Sequence, residues 1–207
     1  LSYLGLWDRI RKIYAGQPGA VERSFTASHF SFNSKGACPE CRGRGVKKVG
    51  FVSAIYERCD VCNGRRFIDE VLEVQYRGLN IHQLQGLSIS EAIDFFSDEP
   101  KIHDMLKALD KTGLGYMTLG QPIPTLSGGE AQRLKIAREL GTKRKGKILY
   151  ILDEPTTGLS FYDTANLLPM LTELVQAGNS VIVIEHDPDV LSFCDHIIEL
   201  GPGAGAD

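Results

Sequence analysis

From Ser127 onward the chain alternates helical and strand-like segments, and this alternation constrains the fold more than any other feature. Residues 148–152 form one short apolar run, and residues 180–184 form a second. Apolar runs of this length separated by a helical stretch indicate parallel strands joined by a helix. We therefore predict an α/β fold in which a buried parallel sheet is flanked by helices.

Charged residues follow each of these two runs. Asp153 and Glu154 come directly after the first run, and Glu185 and His186 come after the second. Taken singly, such pairs are weak signals, because an apolar run ending in Asp-Glu is often only a strand end and a Glu-His pair is often solvent-exposed. Their joint occurrence in this order favours a functional site.

The run TLSGGEAQR occupies residues 125–133. Its residues Ser127, Gly128 and Gly129 precede a helix that we predict from Glu130 to Leu140. The free N–H groups and the positive dipole end of a helix favour an anion, and glycine lets the backbone approach it closely. A lone Ser-Gly-Gly is usually only a turn, so this run gains its meaning from the motifs that follow it.

In combination and order, these motifs resemble the signature, Walker B, D-loop and H-loop segments of ATP-binding-cassette (ABC) ATPases. The resemblance implies ATP and Mg²⁺ as ligands, with Ser127, Gly128, Gly129 and Glu130 forming the signature. It further implies that Asp153 holds Mg²⁺ through water. Glu154 would orient or deprotonate the attacking water, and His186 would contact the γ-phosphate. Gly158 and Leu159 would lie in the loop that communicates between paired sites.

One part of such a site is missing from the sequence. No Gly-x-x-x-x-Gly-Lys-Ser/Thr phosphate loop occurs among the 207 residues. We therefore expect the chain to be a fragment that supplies the signature and Walker B half of a site, and that does not hydrolyse ATP alone.

Two Cys-x-x-Cys pairs form the second group of motifs. Their four cysteines are Cys38, Cys41, Cys59 and Cys62. Glycines follow each pair, as in zinc knuckles, and the spacing fits a structural four-thiolate Zn²⁺ site better than a redox pair. The remaining cysteine, Cys194, is expected to be an inert packed thiol.

The segment around these cysteines is basic. Between Lys35 and Arg66 there are eight basic and three acidic residues, although the whole chain has a net charge of −3. Such asymmetry suggests an anion-binding face. We predict that DNA phosphates are bound by Lys47, Lys48, Arg65 and Arg66; the alternative is that these charges merely solvate a small exposed module.

The combination of zinc knuckles with an ABC signature resembles the UvrA family, the DNA-damage-recognition ATPases of bacterial nucleotide excision repair. The resemblance rests on FSFN at 30–33, CDVCNGRRF at 59–67, TLSGGEAQR at 125–133, LDEPTTGL at 152–159 and IEH at 184–186. It covers nearly the whole chain. It implies the C-terminal half of such a protein, with duplex DNA, a second copy of the chain and the helicase UvrB as partners.

Two departures resemble instead a UvrA-like paralogue linked to tolerance of DNA-intercalating drugs, which would not load UvrB. The arm between the cysteine pairs is short and reads GFVSAIY at 50–56, and Ser160 stands where the family usually has His. A third interpretation, a soluble transporter ATPase subunit, is disfavoured by the zinc module.

The predicted organisation has four parts: a partial ABC segment at 1–34, the four-cysteine zinc module at 35–70, a helical signature subdomain at 71–124, and the ATPase core at 125–207. Within them we predict helices near 4–14, 88–96 and 101–111, a hairpin at 46–57, and a strand at 71–76 returning through 79–81. No apolar run approaches the about 18–20 residues that span a bilayer. A cytoplasmic protein without a membrane partner is therefore expected.

Overall fold

A computed structural model describes residues 5–49, 55–122, 125–142, 146–157, 159–199 and 201. The chain forms two compact units. The first unit comprises Leu1–Leu106 and Tyr116–Thr125, and the second comprises Lys107–Gly115 and Leu126–Asp207.

The first unit contains short helices and two small antiparallel hairpins. Its elements are α1 (Leu6–Ala15), α2 (Pro18–Glu22), β1 (Val46–Val49), β2 (Ile55–Arg58), α3 (Asp69–Leu72), β3 (Gln75–Tyr76), β4 (Leu79–Asn80), α4 (Ile81–Gly86), α5 (Ile89–Phe95) and most of α6 (Pro100–Leu109), whose last three residues belong to the second unit. The pairing of β1 with β2 confirms the predicted hairpin, and Val46 lies opposite Arg58. The tip of that arm, including Gly50, lies outside the described residues.

The core of the first unit forms around α1, whose apolar residues recur at helical spacing as the sequence predicts. Tyr14 is fully buried and donates its hydroxyl to the carbonyl of Leu79 at 2.8 Å. Burial and the neighbouring Tyr76 raise the pKa of Tyr14. Its ring lies 5.5 Å from that of Phe30. This packing fixes the segment that leads into the first cysteine pair.

Two predictions for this unit need correction. Residues Val71 and Leu72 belong to the helical turn α3 rather than to a strand, and only residues 75–80 form the expected hairpin. The alternation of residues 71–76 suggests a strand. Val71, Leu72 and Val74 are nevertheless all buried, so tertiary packing decides their conformation. The helix predicted to end near Lys111 ends at Leu109 and continues as a π-helical turn, in which Gly113 has a φ of 71°.

The second unit has a parallel two-stranded sheet packed against helices. Its elements are the π-helical turn Asp110–Leu114, α7 (Gly128–Gly141), β5 (Leu149–Asp153), α8 (Phe161–Gln176), β6 (Ser180–Ile184) and α9 (Pro188–Phe193). The strands pair in register from Leu149 opposite Ser180 to Asp153 opposite Ile184. The parallel order confirms the predicted strand–helix–strand unit.

One face of this sheet packs on the core of the second unit. Tyr150, Leu152, Val181 and Val183 lie against a buried cluster whose members come from α7 and α8: Ile136, Leu167, Met170, Leu171 and Leu174. Leu167 is fully buried at its centre. This packing fixes where the two strands end, and therefore where the residues that follow them lie.

The other face of the sheet is open among the described residues. The side chains of Leu149, Ile151, Ile182 and Ile184 are between 50% and 63% exposed. The prediction that the sheet is buried is therefore correct for one face only, since α7 and α8 cover just that side. Cys194, which we expected to be packed, is also exposed. No helix in the described part of the chain is both long and apolar enough to cross a membrane.

Candidate functional site: a four-cysteine cluster and a carboxylate edge

Four buried thiols converge in the first unit. The Sγ atoms of Cys38, Cys41, Cys59 and Cys62 all lie within 4.8 Å of one another, and each side chain is buried. The Sγ atoms of Cys41 and Cys62 are 3.6 Å apart. A tetrahedral Zn²⁺ ion with Zn–S bonds of about 2.3 Å separates its sulfurs by about 3.8 Å. The predicted cysteines therefore meet as a group whose size and chemistry fit zinc.

Backbone geometry holds the thiols in place. The amide of Gly45 donates to Cys41 Sγ at 3.2 Å, and Gly45 accepts from the amide of Cys59 at 2.9 Å. Gly45 has a φ of 76°, which glycine adopts without penalty. These contacts join the two cysteine pairs and support the predicted knuckle arrangement.

Hydrogen bonding and burial distinguish the thiols from one another. Hydrogen bonds from the amides of Cys62 and Val61 lower the pKa of Cys59 to about 7. Burial raises the pKa of Cys62 to about 12. A bound Zn²⁺ ion would favour the thiolate form of all four cysteines, because cysteine ligates zinc as the thiolate and not as the thiol.

Three of the four cations predicted to contact DNA have partners within the first unit. Lys47 forms ion pairs with Glu40 at 2.8 Å and Asp60 at 2.5 Å. Each of these acids lies between the cysteines of one pair, so Lys47 bridges the two knuckles. The neighbouring Lys48 is exposed on β1.

The two predicted arginines lie against the knuckles. Arg65 pairs with Asp69 at 2.8 Å, and its Nε donates to the carbonyl of Cys62 at 3.1 Å. Arg66 donates from Nε to the carbonyl of Gly43 at 2.8 Å and lies 3.8 Å from the centre of the Phe32 ring. Burial lowers the pKa of Arg66. Two exposed cations of the same segment, Arg42 and Arg44, were absent from the predicted phosphate contacts.

In the second unit, the predicted catalytic residues gather where β5 and β6 end. Asp153 is the last residue of β5, and the amide of Glu154 donates to the carbonyl of Ile184 at 2.9 Å. Asp153, Glu154 and His186 are all exposed. The structure thus brings two carboxylates and an imidazole to one solvent-facing edge of the sheet. We call these residues, Asp153, Glu154 and His186, together with the loops that carry them, the carboxylate edge.

The backbone at Glu154 is unusual. Its φ is +42°, in the left-handed region that side chains other than glycine rarely adopt. Thr157 donates its hydroxyl to Glu154 Oε2 at 3.0 Å. The turn that carries the predicted catalytic glutamate is therefore held by specific contacts. Gly158 in the same loop lies outside the described residues.

The predicted signature residues begin α7. Ser127 caps the helix by accepting from the amide of Glu130 at 3.2 Å, and Glu130 Oε2 accepts from the amide of Ser127 at 2.7 Å. This reciprocal capping starts the helix two residues earlier than predicted, at Gly128. Gly128 has no atom within 4 Å of its potential Cβ position. The helix start is open, as close contact with an anion requires.

Sequence reasoning missed one residue at the carboxylate edge. The sequence assigns no role to Glu185, the neighbour of His186, but its side chain is 1% exposed. Its carboxylate accepts from the amide of Thr156 at 2.9 Å and from the amide of His186 at 2.9 Å. No local signal in the sequence reveals this, because Thr156 is 29 residues away along the chain.

Comparison with known proteins agrees with these features. The ABC transporter family model matches residues 61–157. The UvrABC system protein A of Thermus thermophilus is 50% identical over 207 aligned residues, and that of Methanothermobacter thermautotrophicus is 48% identical; each alignment covers 99% of this chain and 22% of the relative. The crystal structure of UvrA2 from Deinococcus radiodurans superposes with a TM-score of 0.87 at 47% identity, covering 99% of this chain and 25% of that one.

A parallel sheet whose strand β5 ends at Asp153 and is followed by Glu154, with a capped Ser-Gly-Gly helix in the same unit, is part of the ABC ATPase fold. The alignment with UvrABC system protein A covers 99% of this chain, including the four-cysteine module, and so identifies one family within this class. The chain belongs to the UvrA family. It spans about a fifth of the length of the curated relatives that it matches.

Proposed function

We propose that the complete protein to which this chain belongs is a DNA-binding ATPase acting in nucleotide excision repair. The observation that carries this proposal is the identity of 48–50% with UvrABC system protein A from two organisms over 99% of the chain. A homodimer, association with UvrB and a cytoplasmic location belong to the same proposal.

The carboxylate edge of the second unit would serve ATP hydrolysis. Asp153 offers hard oxygen ligands for Mg²⁺, which would neutralise phosphate charge there. Glu154, adjacent to it and exposed, would orient or deprotonate the attacking water. His186, on the loop that follows the neighbouring strand, would contact the γ-phosphate.

The signature residues would act on a nucleotide other than the one hydrolysed at the carboxylate edge. The helix start is accessible at three of the four signature residues. Ser127 and Gly128 are exposed, Glu130 is half-buried, and Gly129 is buried. Free amide groups at such a start bind phosphate. In ABC ATPases this loop reaches across a dimer interface, so hydrolysis would need another nucleotide-binding domain.

The four-cysteine module would bind Zn²⁺ as a structural ion. Four thiolates leave no open coordination position, so the module would position a DNA-binding surface rather than carry out chemistry. Among the predicted phosphate contacts, Lys48 is the strongest candidate because it is exposed, whereas Lys47 is held by Glu40 and Asp60. The exposed residues Arg42 and Arg44 would add to the same electrostatic attraction.

The ATPase assignment is tested by Glu154→Gln in the complete protein. We expect the variant to bind ATP with little change in affinity while kcat falls by at least about 100-fold, a loss in the range of a general-base contribution. Glu173→Gln is the matched control, since Glu173 is an exposed helix residue paired with Lys111. Undiminished turnover in Glu154→Gln would remove Glu154 from the catalytic role.

The curated relatives favour repair over the drug-tolerance alternative, because they carry the name of the UvrABC system. The two functions would differ in UvrB loading. A complete protein that binds DNA and hydrolyses ATP but forms no complex with UvrB would support the alternative.

A further inference from the structure

The side chain of Glu185 is buried at an otherwise exposed edge. Its side chain is 1% exposed, whereas that of the adjacent His186 is 84% exposed. Glu154, across the sheet edge, is also exposed. A carboxylate covered in this way costs free energy unless hydrogen bonds compensate, so its contacts need an explanation.

Each carboxylate oxygen of Glu185 serves a different loop. Oε1 accepts from both the amide, at 2.9 Å, and the hydroxyl of Thr156, in the loop after β5. Oε2 accepts from the amides of His186, at 2.9 Å, and Asp187, at 3.3 Å, in the loop after β6. One rigid planar group therefore joins the loop that carries Glu154 to the loop that carries His186.

Every one of these partners is a donor. The ionised carboxylate satisfies all of them, whereas a protonated acid or an amide would place a hydrogen towards one loop. Burial alone would raise the pKa of Glu185, but the hydrogen bonds from Thr156, His186 and Asp187 outweigh it and lower the pKa. The charged form is thus the one that the site selects.

The neighbouring backbone shows why such a brace is useful. Glu154 is held at a φ of +42°, a conformation that persists only where surrounding contacts enforce it. Its amide is tied to Ile184, and Thr156, two residues later, is tied to Glu185. The two contacts fix both ends of the turn that presents the Glu154 side chain.

We propose that Glu185 is a positioning residue for the ATPase reaction, which fixes the Glu154 turn against the His186 loop without itself touching the reacting atoms. This inference rests on the proposed function. It predicts that loss of the brace lowers the rate of hydrolysis more than the affinity for nucleotide, because displacement of a reacting group by about 1 Å can cost on the order of 100-fold in rate.

The test uses the complete protein carrying Glu185→Gln, with Glu173→Gln as the matched control. We expect kcat for ATP to fall by about 10- to 100-fold while KM and the affinity for ADP change by less than about threefold. Thr156→Val, which removes only the hydroxyl contact, should lower kcat by a smaller factor. If Glu185→Gln does not fold, Thr156→Val still decides the outcome.

Combining the two substitutions separates a shared role from independent effects. The double variant should lose little more than Glu185→Gln alone, since both act through one contact. Unchanged kcat in the two single variants, or a raised KM with normal kcat, would overturn the positioning role of Glu185. The proposed function would still stand in that case if the wild type is active and Glu154→Gln is inactive. A wild-type protein without ATPase activity would overturn both.

Discussion

Two glycines with nearly the same backbone conformation allow the packing of the zinc module to be tested. Gly43 has a φ of +72° and Gly78 has a φ of +80°. A Cβ atom at Gly43 would lie 1.4 Å from the carbonyl oxygen of Phe32, whereas none lies within 4 Å at Gly78. Alanine at either position adopts a disfavoured left-handed backbone, but only alanine at Gly43 also collides with neighbouring main chain.

The expected difference follows from these distances. The left-handed conformation costs an alanine about 1–2 kcal/mol at either site. At Gly43, the segment containing Phe32 must also move by more than 1 Å, and overpacking of this kind costs about 1–3 kcal/mol more. A central value of about 2 kcal/mol corresponds to about a 30-fold difference in an equilibrium constant between the two variants.

The readout is zinc retention in the complete protein. Gly43→Ala should release zinc to a competing chelator about 30-fold more readily than Gly78→Ala, which has the same backbone cost but no collision. Hydrogen exchange of residues 36–45 should rise in the first variant only. Equal zinc retention by the two variants would refute the argument that close packing of Phe32 on Gly43 supports the metal site.

Three further outcomes are expected. Cys59→Ser should lose the zinc and loosen the module while the second unit stays folded; full zinc content by metal analysis would refute the four-thiolate assignment. Lys47→Met should speed zinc release yet leave the salt dependence of DNA binding nearly unchanged, whereas Lys48→Met should reduce the salt slope by about 1; the opposite pattern would contradict our interpretation of the two lysines. The folded-state pKa of Glu185 is lowered, so the ionised side chain should stabilise the fold fully above its ordinary pKa of about 4.3. This contribution should vanish as the pH falls through the lower folded-state pKa, and hydrogen exchange of the Thr156 amide should then accelerate. An exchange rate at Thr156 that shows no such acceleration in this pH range would contradict the prediction.

The elements that the sequence predicts well are those with strong local signals. Ser88 precedes Glu91 by three residues and forms the reciprocal capping contacts that begin α5. The same spacing occurs at Ser127 and Glu130 and begins α7, although the helix was predicted two residues too late. Such signals act within one turn of chain, so they survive any tertiary arrangement. The spacing of the cysteine pairs likewise predicts a cluster that the fold brings together.

Features that depend on distant contacts were not predictable in the same way. The segment containing Val71 alternates like a strand but forms a helical turn, because neighbouring elements bury both of its sides. Lys47 resembles any surface cation until Glu40 and Asp60 approach it from two different knuckles. Glu185 resembles a surface acid until the loop at Thr156 reaches it. In each case, the partner is set by the fold and not by the adjacent sequence.

The most direct test of the proposed repair function is to titrate the complete protein with ATP against lesion-bearing and undamaged duplexes of one sequence, at two salt concentrations. Phosphate contacts weaken steeply with salt and carry no information about a lesion. A repair function predicts a preference for the lesion that persists at the higher salt concentration. Equal binding to the two duplexes, falling steeply with salt, would contradict it.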